Sequence, residues 1–384
     1  MNRGFAGRLL AASIALLSFS SCRTAEDTAP KEGVGGHDDN ARSGVAEQSV
    51  HTCPPDGTVQ GWLVRHQSPA GYWDCHEFDQ ICCKACPTSC RDDDSAELQV
   101  AATALALDAF FTSGYDRYRP SPYRKTVIAA VEYLARSQND AGRWSLGTGT
   151  AERLADAWAT MALCHDFSSS KAKKFEAAAR RGIAALRSFT SLESRDDVAV
   201  AAWCVLACAK GYEADFDAAR EQIVERTKAL FDEVISRPDS WREIDAAARG
   251  PQSSLGSVDL ATAAWIIGRR ALGDEDAVLE MAANWSKTLM TRFPLTLRTD
   301  RLPLPADELL LATIAMTHFE GEAREVWKLG VRGLLQAHVE TNGCARGSWN
   351  RWDEQRVEIG RVGRTACLLT TLDHSWRNHL LRFR

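Results

Sequence analysis

The chain has 384 residues, 45% of them hydrophobic and 25% charged, with a formal net charge of −5. That balance fits a packed globular protein and excludes the basic footprint of a nucleic-acid binder. The 12 tryptophans outnumber the 6 tyrosines, which points to tryptophan as a recurring structural element.

In chain order, Arg3 and Arg8 precede an apolar stretch over 9–19, too short to span a bilayer comfortably. It runs into Ser20-Ser21-Cys22, which resembles a bacterial lipoprotein signal with Cys22 as the lipidated residue. An ordinary secretory signal is the alternative. Either one exports the chain to an oxidising compartment, the periplasm or the cell surface, and lipidation of Cys22 would make the bacterial membrane a partner. Residues 1–22 are thus the signal segment. Residues 23–52 hold almost no large apolar side chains, cannot offset their ordering entropy, and read as a disordered tether.

Residues 53–95 read as a first helix over 57–66 followed by a cysteine-rich loop packed on the main domain. Cys53, Cys75, Cys82, Cys83, Cys86 and Cys90 crowd this short stretch. In an exported chain they are expected to form disulfides, with undetermined connectivity. The alternative is zinc held by Cys83-x2-Cys86 with Cys75, Cys90 and His76; no cofactor is expected otherwise.

Residues 96–384 show helical periodicity and no lasting strand signal. Apolar runs at 96–113, 151–167, 196–210, 257–272, 306–319 and 361–376 alternate with amphipathic runs at 122–138, 171–189, 216–235, 275–292 and 322–339. Segments apolar nearly all round are buried; those with a charged face meet water. With the first helix this predicts an all-α fold, an α/α toroid of about twelve helices in two concentric rings. Short connections make the inner helices parallel. Cys164, Cys204 and Cys208 fall on inner helices as small buried hydrophobes, and a Cys344–Cys367 pairing is left open.

Two segments repeat each other: Trp62-Leu63-x3-Gln67-x3-Gly71-x-Trp73 and Tyr133-Leu134-x3-Gln138-x3-Gly142-x-Trp144. Trp241 and Trp349 hold the same place with the rest of the motif eroded. A recurring motif of this kind marks a repeat architecture. It resembles the prenyltransferase and squalene-oxidase repeat, the QW-type motif of terpene cyclases, and that resemblance also implies an α/α toroid. The family's class II cyclases protonate substrate from an Asp-x-Asp-Asp motif. The corresponding run is Ser194-Arg195-Asp196-Asp197, which lacks the first aspartate and sets an arginine beside the pair. Cyclase activity is the least favoured reading.

Acidic residues gather at the predicted inner-helix starts: Asp92, Asp93 and Asp94; Asp156; Asp196 and Asp197; Asp259; Asp307 and Glu308. Aspartate at such positions ordinarily caps amides and complements the helix dipole. As a set, Asp156, Asp196, Asp197, Asp259 and Asp307, with Arg361 and Arg364 as counter-charges, form a candidate binding rim. Asp156, Asp196 and Asp197 are the catalytic candidates. His165 and His318 lie at the opposite helix ends. Phe110, Phe111, Trp158, Trp203 and Trp265 line either a cavity or the core. The expectation is a non-catalytic toroid binding a cell-envelope glycan, peptide or protein. A carbohydrate-active lyase or hydrolase is the alternative, since that chemistry needs a carboxylate pair.

Overall fold

A computed structural model describes residues 58–75, 98–247, 254–293, 304–318, 320–349 and 359–376. All lie in one compact unit, Val50–Arg384. The signal segment, the tether and Cys53, Cys82, Cys83, Cys86, Cys90 and Asp92–Asp94 fall outside them.

Thirteen α-helices make up the described residues, and no strand occurs among them. They are α1 (Val59–Arg65), α2 (Gln99–Thr112), α3 (Arg124–Ser137), α4 (Thr150–Ser170), α5 (Glu176–Leu186), α6 (Arg195–Glu213) and α7 (Asp217–Leu230). They continue with α8 (Pro238–Ala247), α9 (Ser257–Ala271), α10 (Glu275–Arg292), α11 (Ala306–Met316), α12 (Glu322–His338) and α13 (Gly360–Trp376).

The alternation of apolar and amphipathic segments becomes two rings. The inner ring runs α2, α4, α6, α9, α11, α13, each packed on the next, and α13 closes it by packing back on α2. Helix α2 buries every residue from Ala101 to Thr112, as a helix surrounded on all sides must. The outer helices α1, α3, α5, α7, α10 and α12 lie against the inner ones with one apolar stripe each. In α3 that stripe is Thr126, Val127, Ala130, Val131 and Leu134. Arg195, Leu255 and Glu308, from the starts of α6, α9 and α11, meet at one mouth. Asp108, His165, Lys210 and His374, from the ends of α2, α4, α6 and α13, meet at the other. The inner helices are therefore parallel.

The repeated motif is a three-way clamp. The indole of Trp73 donates to the Leu63 carbonyl at 2.7 Å, and Trp144 to Leu134 at 2.7 Å. Each caps the outer helix just ended. Gln67 donates to Gly71 O (3.1 Å) and to Thr126 O at the next outer helix (3.0 Å); Gln138 does the same with Gly142 O (3.1 Å) and Ala178 O (2.9 Å). The glycines are required twice over. Gly71 and Gly142 have φ of +97° and +80°, and a Cβ there would lie 2.4 Å from the carbonyl oxygens of Ala129 and Arg181.

Trp349 repeats the indole bond to Leu335 O at 2.9 Å. Trp241 departs from the expected turn: it lies within the extra helix α8, yet its indole still donates to Glu233 O at 2.7 Å. That carbonyl belongs to a π-helical turn, Phe231–Ile235, that extends α7. The predicted helix over 216–235 is thus an α-helix with a π-helical end.

Candidate functional site

At the mouth where the inner helices start, most predicted acidic residues are held by specific partners. Asp156 is 1% exposed. Its carboxylate accepts from Arg143 Nε (2.8 Å), the backbone N–H of Trp144 (2.7 Å) and Ser145 Oγ (3.0 Å). It fixes the Gly-x-Trp turn and is not open to a ligand, a correction to its place on the rim. Asp197 forms a capping box with Ser194 and an ion pair with Arg153 at 2.8 Å. Burial works against its charge, but the Arg153 and Ser194 hydrogen bonds outweigh it and hold the carboxyl below its usual range. Asp196 is half-buried one position earlier on α6, and Asp307 is half-buried at the start of α11.

Arg195 stands beside Asp196 and Asp197 in the sequence. In the fold its guanidinium reaches Glu308, 113 positions away, and donates from Nε to Leu255 O at 2.7 Å. Glu308 also accepts from Leu255 N at 2.6 Å. Burial pushes the Glu308 carboxyl above its usual range, and the Arg195 guanidinium pulls it back toward the charged form. The charge that keeps Asp197 ionised thus comes from Arg153, and Arg195 ties three inner helices together. Arg361 and Arg364, at the start of α13, are 3% and 1% exposed; they lie inside the ring wall and not on an open rim.

Asp259 pairs with Arg292 across a cleft of about 690 Å³ beside this mouth. Arg195 also lines that cleft. Asp245 of α8 holds the start of α9 by accepting from Ser257 N (2.8 Å) and Ser257 Oγ (2.6 Å).

The opposite mouth holds a buried polar cluster. His165 lies 2.8 Å from Asp108, and Lys210 and His374 line the same small cavity. Burial lowers His374 to about 4 and His318 to about 3, with Lys210 adding to both. The sequence reading placed His165 and His318 at these helix ends but missed Asp108, Lys210 and His374. Their signal was a charged or imidazole group near the end of an otherwise apolar run.

The aromatic candidates serve packing. Trp158 and Trp203 meet edge to face at 5.5 Å, and Trp265 packs on Phe231 at 6.0 Å. Phe110 stacks on Trp73 and Phe111 packs against His165. Cys164, Cys204, Cys208 and Cys367 are buried free thiols, so the Cys344–Cys367 pairing is not made. Cys75 is fully buried, its sulfur 3.4 Å from Ile359 O and 3.7 Å from Leu98 O. Among the described residues, no group of three or more His, Cys, Asp or Glu side chains is placed to hold a metal ion. Nor is any described helix long and apolar enough to cross a membrane.

No family model and no curated protein sequence matches the chain, so the prenyltransferase and squalene-oxidase repeat gains no support beyond its motif. Solved structures do match. One is an inactive variant of the family GH76 α-1,6-mannanase of Salegentibacter sp. HEL1_6, with two consecutive aspartates replaced by alanine, in complex with α-1,6-mannotetrose. Its TM-score is 0.55 at 13% identity, over 83% of this chain and 98% of that one. A second structure of the same mannanase gives 0.54 at 12% identity, over 82% and 96%. These neighbours are glycoside hydrolases, a finding that overturns the expectation of a non-catalytic binding module. At such identities the likeness carries architecture, and the chain is an all-α toroid of the shape those mannanases share.

Proposed function

We propose that the protein is a glycan-cleaving hydrolase whose chemistry sits at the mouth formed by the inner-helix starts. One observation carries the reading. Asp196 and Asp197 are consecutive aspartates at the first turn of an inner helix, and replacing two consecutive aspartates gives an inactive variant of a mannanase with a similar toroid. Glycoside hydrolysis needs two carboxyl groups, one ionised and one able to give a proton. Asp197 suits the ionised role, since Arg153 and the capping box stabilise its charge. Asp196, half-buried and next to it, is the second carboxyl group. The Arg195–Glu308 pair positions this start of α6 against α9 and α11.

Export belongs to the same proposal. Arg3, Arg8, the apolar stretch and Cys22 support a lipid-anchored protein of the periplasm or cell surface, where polymeric glycans are met. The substrate is then an envelope or environmental polysaccharide.

The test is reducing-end release by the purified chain from α-1,6-mannan and a panel of other neutral polysaccharides. Release by the wild type, falling at least about 100-fold in Asp196→Asn and Asp197→Asn, is the expected outcome for loss of an acid or base. Failure to cleave any polymer, or cleavage unchanged in both variants, would sink the reading. Thermal melting of each variant separates lost chemistry from lost capping.

A further inference from the structure

The cleft of about 690 Å³ lies beside the mouth, with Arg195, which ties the inner helices, in its lining. Its floor is the start of α9, from Leu255 to Thr262; one wall is α8 with Ile235, and the other is α10. Along α10, Met281, Asn284, Trp285, Thr288 and Arg292 all face it, at the spacing of one helix face. On an outer helix the face that meets its neighbours is ordinarily apolar. Here the end of that face near the mouth carries an amide, a hydroxyl, an indole and a guanidinium.

Trp285 supplies the second observation. It is 6% exposed, it lines the cleft, and its indole N–H makes no hydrogen bond. The indole N–H groups of Trp73, Trp144, Trp241 and Trp349 donate to carbonyls, whereas that of Trp158, packed in the ring wall, is unmade like that of Trp285. The nitrogen itself is covered by protein, so what Trp285 presents to the cleft is part of its indole ring.

The size suits a small-molecule site, which spans about 300–1,000 Å³. The charge suits an uncharged ligand. Asp259 neutralises Arg292, Asp239 accompanies Arg242, Arg195 is engaged by Glu308, and the remaining lining carboxylate, Asp245, is taken up by the Ser257 N–H and hydroxyl. What remains is an alternation of donors and acceptors beside an aromatic ring. We infer that this cleft is a carbohydrate subsite that holds part of a neutral, hydroxyl-rich oligosaccharide, with the Arg292–Asp259 pair and Asn284 reading hydroxyls beside the Trp285 ring. The inference rests on the hydrolase reading, because Arg195 links this cleft to the proposed carboxylate pair.

The experiment measures binding of α-1,6-mannotetrose, cellotetraose and tetragalacturonate to the full exported chain by calorimetry, alongside cleavage of the polymers. Trp285→Leu removes the aromatic ring; Arg292→Gln removes the charge. Each is expected to weaken binding of a neutral tetrasaccharide about fivefold, the effect of one ring contact or one hydrogen bond, and to raise KM with kcat unchanged. Melting temperatures of the two variants confirm that the fold persists, and Asn284→Ala gives a third, milder reading of the same wall. Cleavage with unchanged affinity in all three variants overturns the subsite and leaves the hydrolase reading standing. Tighter binding of tetragalacturonate than of the neutral probes overturns the neutral assignment. Binding without cleavage of any polymer removes the hydrolase reading while the cleft remains a glycan site.

Discussion

Gln138 donates from Nε2 to the carbonyl of Ala178, 2.9 Å away and 40 positions further along the chain. A side chain at the end of one outer helix thus holds the next outer helix in place, while its second bond, to Gly142 O, shapes the turn into the ring. Gln67 repeats both bonds one hairpin earlier.

This clamp predicts a steep cost for filling its glycine. Gly142→Ala combines a left-handed φ with a backbone clash, whereas Gly273→Ala has φ +82° and open space around the new Cβ. Gly273→Ala is expected to cost about 1–2 kcal/mol, the left-handed penalty alone. Gly142→Ala should cost clearly more. Urea unfolding of the two variants checks the order, and equal losses would refute the clamp.

Glu308→Ala leaves the guanidinium of Arg195 buried without its carboxylate. The expected loss is about 3–5 kcal/mol, the range for breaking a buried pair from one side. Replacing both, as in Arg195→Met with Glu308→Leu, should cost much less. A double-mutant cycle with urea denaturation reads the difference.

The cluster at the other mouth predicts sensitivity to acid. His374 titrates at about 4 in the fold, below its ordinary 6.5, because burial and the nearby Lys210 disfavour its charge. Asp108 and His165 also face it. The unfolded chain therefore binds more protons between those values, and stability falls as pH drops from about 6.5 through about 4. His374→Leu removes that dependence, so its stability should decline less steeply over the window. The shift corresponds to about 3 kcal/mol at the acid end. Parallel slopes in both proteins would refute it.

Buried thiols should be silent. Burial pushes Cys208 up to about 12, and Cys164 and Cys367 are raised by the same cause. Iodoacetamide at neutral pH is expected to leave all three unmodified in the native protein and to label them in urea, because the thiolate is the reactive form. Peptide mass mapping identifies which cysteines react.

The toroid was legible because burial on all sides and burial on one side leave different periodicities, as Ala101–Thr112 and Val127–Leu134 illustrate. Helix α8 was not. Trp241 matched the turn tryptophans in position, and its indole makes the same bond from inside a helix. The acidic starts were legible as residues but not as partners. Ser194 and Asp197 have the spacing of a local cap, whereas Arg195 and Glu308 meet only because the ring brings α6 and α11 to one mouth. Asp156 faces a turn and not the mouth, a choice that depends on side-chain direction and not on spacing.

The closing of α13 onto α2 has a consequence for the order of events in folding. The two helices that seal the ring are more than 200 positions apart in sequence. Until the last helix has emerged, α2 and α11 each keep an apolar face with nothing to cover it, and no local pairing can substitute. The ring therefore completes late, through its most distant contacts, which slow folding and leave the partly built chain prone to aggregate. A chain that crosses a membrane before folding would meet this step only after its whole length has arrived.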